Sequence, residues 1–332
     1  MKYQVFEFWY TLDKVQPQLD ALYSDSFDKV ILYGPHEWTY WECNYWNELI
    51  KACQENNHKL TIITSTKKYF TDEEPKLDID HEIINWPTHY FSRTYIHLES
   101  LKNAIPNVDN YQHHFVSMNY RPRKSRCLLM DLIAKHKLLH FNAISWHNPN
   151  IEYEWKYWKP RLMQLSDISF TQSRNYNVLP KEYYNSFAQL ISETRTDTLS
   201  VSEKTATAIF MEKPFLVASC SHFHKYLDEL GFLRYDEIFD YTFDTVENTE
   251  TRFDLLVENF KNLSKVPLKD LPKLRETIQD KLRYNKQRAQ DIVFDYDLYP
   301  EVIKELIDVY KTEGVILNKI LVNMYENTFE TK

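Results

Sequence analysis

The sequence predicts a two-domain α/β protein. Three observations point there. The chain has 332 residues, more than one compact core holds and suited to two domains of roughly 100–200 residues each. Two strand–loop–helix–strand patterns occur, one near the N-terminus and one starting near residue 114. No apolar run approaches the ~20 residues that a membrane helix needs. Hydrophobic residues make up 43% and charged residues 27%, enough to build cores and an ordinary globular surface.

The first pattern opens at Lys29-Val30-Ile31-Leu32-Tyr33, a buried strand closed by Gly34-Pro35. A helix is expected over roughly Trp41 to Gln54, then a strand at Leu60-Thr61-Ile62-Ile63-Thr64. That order is the building block of a parallel sheet. Residues 71–82 are polar and read as a surface loop. The second pattern runs from a strand at His114–Met118 through a basic loop, Asn119-Tyr120-Arg121-Pro122-Arg123-Lys124-Ser125-Arg126, into a helix carrying Leu128, Leu129, Leu132 and Ile133. Strands are expected at Ala143–Trp146, Phe187–Ser192 and Pro214–Ser219. Residues 147–185 form an aromatic excursion, and a helix from about His222 stops at Gly231, a residue suited to a helix C-cap. The pattern is helical from about Thr251. The expected division is 1–110, 111–298 and a helical C-terminal segment 299–332 that packs back on the first domain.

Composition excludes several function classes. With glycine only at Gly34, Gly231 and Gly314, neither a GxGxxG turn nor a Walker A loop can be written. Cys43, Cys53, Cys127 and Cys220 are scattered without CxxC spacing, against a disulfide framework or structural zinc and in keeping with a reducing compartment. Glu7 stands where an export signal would be apolar, so a cytoplasmic protein is expected. The net charge of −8 argues against a coat for non-specific nucleic-acid binding but leaves room for a local basic groove. Aromatic content is 15%, and such faces either fill cores or stack on sugars and bases.

The sharpest segment is Leu199-Ser200-Val201-Ser202-Glu203-Lys204-Thr205, a helix start capped by Ser200 or Ser202 with an adjacent acid and base. Free N–H groups and the helix dipole favour an anion there. Lys204 adds a mobile positive charge for a phosphate, and Glu203 would accept hydrogen bonds from two ribose hydroxyls. Glu in a first helical turn is also ordinary capping. Arg121, Arg123 and Arg126, with Asn119, follow a strand's carboxyl end, where ligands of open α/β sheets bind. An arginine fork pairs two phosphate oxygens at once. The plain alternative is a solvated basic turn.

The Ser202-Glu203-Lys204 helix start, followed by Lys213-Pro214-Phe215-Leu216-Val217, resembles the donor-binding motif of α-1,3-fucosyltransferase-like enzymes and of viral and phage glycosyltransferase-like proteins. The resemblance covers roughly residues 113–260. It implies a GT-B-like arrangement, two Rossmann-like domains facing a cleft, with a nucleotide-diphosphate sugar as co-substrate and no other cofactor. By position, Glu203 would hold the ribose, and Lys204 the phosphates together with one of Arg121, Arg123 and Arg126. Where the family often has Gly before the Pro-initiated strand, Glu212 and Lys213 stand here.

In the first domain, Gly34-Pro35 aims the next residues away from a strand end. Glu37 or His36 is the expected general base for an acceptor hydroxyl, and Trp38, Tyr40 and Trp41 are the expected acceptor-stacking aromatics. Asp78-Ile79-Asp80 and Asp295-Tyr296-Asp297 spell DxD without following a strand, so a metal-independent reaction is expected. Cys220, His222 and His224 are too few to define zinc. The expected function is sugar transfer to a hydroxyl acceptor. Its rivals are transfer to hydroxylated DNA bases, with Arg121–Arg126, Lys156–Arg161 and Lys281–Arg288 tracking a backbone, and a non-catalytic nucleotide- or sugar-binding protein.

Overall fold

The computed structural model describes residues 2–7, 11–34, 40–67, 77–87, 90–92, 94–95, 110–165 and 179–313. The elements used below are, in chain order, β1 (Tyr3–Glu7), α1 (Leu12–Ser24), β2 (Lys29–Gly34), α2 (Trp46–Glu55), β3 (Leu60–Thr64) and β4 (His81–Asn85). There follow β5 (His113–Asn119), α3 (Lys124–Lys135), β6 (Ala143–Trp146), α4 (Lys181–Tyr184), β7 (Ser186–Ser192), α5 (Glu203–Phe210) and β8 (Phe215–Ala218). The chain continues with α6 (Phe223–Glu229), α7 (Thr249–Leu263), α8 (Leu271–Glu276), α9 (Gln279–Phe294) and α10 (Glu301–Glu313). It divides into two compact units, Met1–Ser92 with Asp291–Lys332, and Arg93–Gln290.

In the first unit four parallel strands lie in sequence order, β1-β2-β3-β4. Every residue of β3 is buried, as expected of a parallel strand covered on both faces. Helix α1 buries Val15, Leu19 and Leu22, and α2 buries Trp46, Leu49, Ala52 and Cys53, stripes at helical spacing. The C-terminal segment belongs to this unit: Glu305 of α10 pairs with Lys29, and Tyr299 meets Trp86 edge-on at 5.4 Å. Two elements escaped the sequence reading here, β1 and α1. A third correction is β4, which occupies His81 and Glu82 at the end of the expected 71–82 loop. It is an edge strand whose first residues are exposed, so it lacks the apolar run that marks a central strand.

The second unit holds a four-stranded parallel sheet in the order β8-β7-β5-β6. Its strands match the sequence expectation to within a residue or two at each end. Helix α3 packs on α7 through His136, which lies 2.7 Å from Asp254 and 3.2 Å from Glu258, while Lys135 reaches the same Asp254 at 2.7 Å. Buried Asp131 of α3 accepts the backbone N–H groups of Lys156, Tyr157 and Trp158 at 2.8–2.9 Å. That carboxylate pins the aromatic excursion, where Trp146, Trp155 and Trp158 pack edge to face.

Helix α5 ends in a Schellman motif. Lys213 N–H donates to Ala208 O and Glu212 N–H to Ile209 O, with Glu212 in the left-handed region at φ 49°. Glu212 takes the conformation that Gly would take without strain. Its side chain supplies a reason to be there: it accepts from Lys286 at 3.0 Å and Gln279 at 3.1 Å, tying α9 to the end of α5.

Candidate functional site

Strand order in the second sheet fixes where a ligand would sit. From β5 the chain crosses to β6 on one side and then returns to β7 on the other. The connections part between β5 and β7, and the crevice outside their carboxyl ends is the usual ligand position in an open α/β sheet. Among the described residues, the first sheet has no such reversal.

The last residues of the two strands meet at that point. Ser192 Oγ donates to Asn119 Oδ1 at 2.8 Å. Arg126, on the first turn of α3 and 4% exposed, donates Nε to Ser192 Oγ at 3.1 Å, one Nη to Ser192 O at 3.4 Å and the other to Arg121 O at 3.1 Å. The Arg126 fork thus ties the basic loop after β5 to the end of β7. Asn119 is buried, and its Nδ2 donates to Ser117 Oγ at 3.0 Å, while its backbone N–H reaches Ser145 Oγ at 3.0 Å. Its amide ties β5 to the end of β7.

Glu193 follows β7 directly and is 3% exposed. Its Oε1 accepts two hydroxyls, Ser202 Oγ and Thr205 Oγ1, each at 2.8 Å. Ser202 is the N-cap of α5 and accepts Lys204 N–H at 3.2 Å. The Lys204 ammonium donates to Glu203 Oε1 at 2.9 Å and stands 3.8 Å from Glu193 Oε2. Burial drives the protonation states. It pushes Glu193 above the usual carboxylate range, with Lys204 only partly countering. Burial would raise Glu203 too, but the adjacent Lys204 charge and hydrogen bond hold it below its ordinary value. Burial would lower Lys204, yet Glu203 and Glu193 together raise it. The side chains of Lys204 and Glu203 remain 18% and 17% exposed, open to an incoming ligand where Glu193 is not.

Of the residues singled out from sequence, Asn119, Arg126, Ser202, Glu203 and Lys204 come together in this network. Arg121 is exposed, and Arg123 is half-buried at the N-cap of α3, where no side chain caps the helix. Trp41 packs against the first unit's core. Tyr40 begins a short 3-10 turn, and its side chain, like Glu37, His36 and Trp38, lies outside the described residues. Glu193 was missed in the sequence reading. The available signal was a carboxylate placed immediately after an entirely buried strand.

Several of the remaining chemical candidates have structural duties. Buried His224 accepts the Val217 N–H at Nε2, 3.1 Å away, and Cys220 donates to Thr198 O at 3.2 Å. Among the described residues no cluster of three metal-ligating side chains forms. Asp80 precedes β4 and accepts Leu60 N–H through its carbonyl, and Asp295 caps the Asp297 N–H at 3.0 Å. In the basic 281–288 segment, Lys281 pairs with Glu237 at 2.8 Å, Lys286 bonds Glu212, and Arg288 donates to Leu230 O. Those side chains hold α9 in place. Among the described residues no helix is long and apolar enough to cross a membrane.

No protein-family model and no curated protein matches the chain. Among solved structures, a DNA-modifying β-glucosyltransferase determined with and without its substrate uridine diphosphoglucose is similar, at 11% identity and a TM-score of 0.35, covering 88% of this chain and 99% of that one. A likeness so distant transfers neither substrate nor acceptor.

Proposed function

We propose that the chain is a GT-B glycosyltransferase whose second unit binds a nucleoside-diphosphate sugar at the carboxyl ends of β5 and β7, and which passes the sugar to a hydroxyl acceptor. One observation carries the reading: the Ser202-Glu203-Lys204 helix start, Glu193 and the Arg126 fork converge at the reversal point of the sheet. That is the position where doubly wound sheets hold nucleotides. The motif's resemblance to the donor-binding helix of fucosyltransferase-like enzymes assigns Glu203 to the ribose and Lys204 to the phosphates. Arg121 and Arg123, on the loop that Arg126 fastens, reach solvent beside the same strand end and would share the phosphate charge. Departure of a nucleoside diphosphate needs that charge neutralised. In this reading α5 and the basic groups do the work that a metal does in other transferases. The base is assigned to Glu37, with His36 second, and acceptor stacking to Trp38, Tyr40 and Trp41.

The test is release of nucleoside diphosphate from a panel of nucleotide sugars, with and without EDTA. Turnover that survives EDTA is expected. Turnover that disappears with EDTA and returns with Mn²⁺ would put a metal in the site. Arg121→Lys and Arg123→Lys should each be compared with wild type. A point charge does not reproduce the bidentate fork, so the phosphate-bearing arginine should lose turnover as Lys. Unchanged turnover in both would leave the loop as a basic turn. Glu37→Gln should abolish transfer and leave donor affinity intact.

A further inference from the structure

Two segments of the second unit carry cations that the fold leaves unused. Residues 119–126 follow β5, and residues 156–163 close the aromatic excursion. Neither segment contains an acidic residue, in a chain whose net charge is −8. Arg121, Lys124, Lys159 and Arg161 are exposed and Arg123 is half-buried. Among the described residues the side chains of these five have no ion-pair or hydrogen-bond partner. The basic 281–288 segment differs, since its cations are tied to Glu237, Glu212 and the Leu230 carbonyl.

The sheet brings the two segments together. Asn119 and Trp146 are register partners at the carboxyl ends of β5 and β6. The rings that follow them, Tyr120 and His147, lie 5.6 Å apart. Trp146 and Met163 exchange backbone hydrogen bonds at 2.8 and 2.9 Å in an antiparallel bridge. Residues ahead of Met163 therefore lie beside those after Trp146, and Arg161 returns to the same end of the sheet. Asp131 holds the start of the segment through three backbone N–H groups, and Trp158 packs on Trp146 at 5.5 Å. The backbone under these cations is thus fixed before a partner arrives, which lowers the ordering cost of binding.

A single small anion needs cations that converge on it. Here they are spread over two loops along the ends of β5 and β6, which suits an anion that repeats. A nucleic-acid strand offers a phosphate every ~3.4 Å of axis. Tyr157, between Lys156 and Lys159 in the chain and 54% exposed, adds a ring on which a base can stack. We propose that the two loops form a docking surface for a nucleic-acid backbone, with Lys124, Lys159 and Arg161 as its phosphate contacts. The surface does not depend on the donor-site reading, because a nucleotide sugar and the polymer meet different side chains.

Fluorescence anisotropy of the full chain, without any nucleotide sugar, tests this. The probes are labelled strands of about 20 nucleotides, as single-stranded DNA, duplex DNA and single-stranded RNA, with salt varied from ~50 to ~200 mM. At least one should bind, with affinity falling steeply as salt rises. Lys159→Ala/Arg161→Ala should weaken that binding about tenfold and flatten the log–log salt slope by ~1–2. Lys124→Ala should flatten it by about half as much. The control is Lys51→Ala/Lys59→Ala, which removes the same charge from exposed positions of the first unit and should change affinity by less than about twofold. Melting curves establish that the variants fold, and Arg161→Ala alone replaces the double variant if that one does not. No binding of any strand up to ~100 µM protein, the weak end of non-specific affinities, overturns the proposal. Equal losses in the two double variants would make the effect one of net charge and overturn it too. Polyglutamate bound as tightly as the best strand would make the surface a general polyanion site and overturn the nucleic-acid assignment. Each of these failures leaves the donor site standing, and failure of nucleotide binding leaves this surface standing.

Discussion

Glu193 and His224 show how single buried groups make this unit sensitive to pH in opposite directions. Burial raises Glu193 above its ordinary carboxylate value, so its contribution to stability is fully present below that value and is lost as pH rises through the raised one. Glu193→Gln removes this titration. The difference in melting temperature between Glu193→Gln and wild type should therefore grow in the variant's favour from pH 4 to pH 7, and a flat difference would mean that burial does not raise Glu193 above its ordinary value. His224 is pushed down to about 4, chiefly by burial. Its neutral ring accepts the Val217 N–H, so its contribution is present above the ordinary imidazole value and is lost as pH falls toward 4. Denaturant titrations should show about 3 kcal/mol lost through this one group. The loss should be absent in His224→Phe, and equal pH dependence in the two proteins would contradict the assignment. The cap of α5 was legible in the sequence to within two residues, as Ser200 or Ser202, because a cap is a local signal: a small hydroxyl ahead of an acidic first turn. Glu193 was not, because its role exists only when the end of β7 meets the start of α5, a contact of tertiary structure.

At the scale of elements, the end of α5 sets backbone preference against side-chain contact. Glu212 holds a left-handed φ of 49° that glycine would adopt freely, a strain of ~1 kcal/mol for an L-residue. Its carboxylate offsets part of that through Lys286, in a half-exposed pair worth ~0–1 kcal/mol. Glu212→Gly should therefore be close to neutral, and Glu212→Ala destabilising by ~1 kcal/mol, because Ala keeps the strain and loses the contacts. Denaturant midpoints give the order, and an Ala variant more stable than the Gly variant would contradict it. Central strands such as β2, β3, β5 and β7 were plain in the sequence, since burial on both faces leaves continuous apolar runs. Edge strands β1 and β4 were missed for the converse reason: β1 is mostly half-buried and β4 exposes Ile83 at 42%, whereas the edge strands β6 and β8 are buried throughout and read as apolar runs.

For the whole molecule, strand order decides where in the second unit the proposed donor site would lie, and strand order is not written in any local pattern. The sequence reading placed the basic loop and the Ser202-Glu203-Lys204 helix start in one domain. That β5 and β7 are neighbours, with β6 sent to the far side, came from the assembled sheet. The central claim is that a nucleoside diphosphate binds at this reversal point through Lys204. Its most direct test is thermal melting of wild type and Lys204→Met against ADP, GDP, CDP and UDP. A ligand at 100 times its Kd adds ~2.7 kcal/mol of stability, so at least one nucleotide should raise the wild-type melting temperature and leave Lys204→Met nearly unmoved. No shift with any of the four, or an equal shift in the two proteins, would contradict the account.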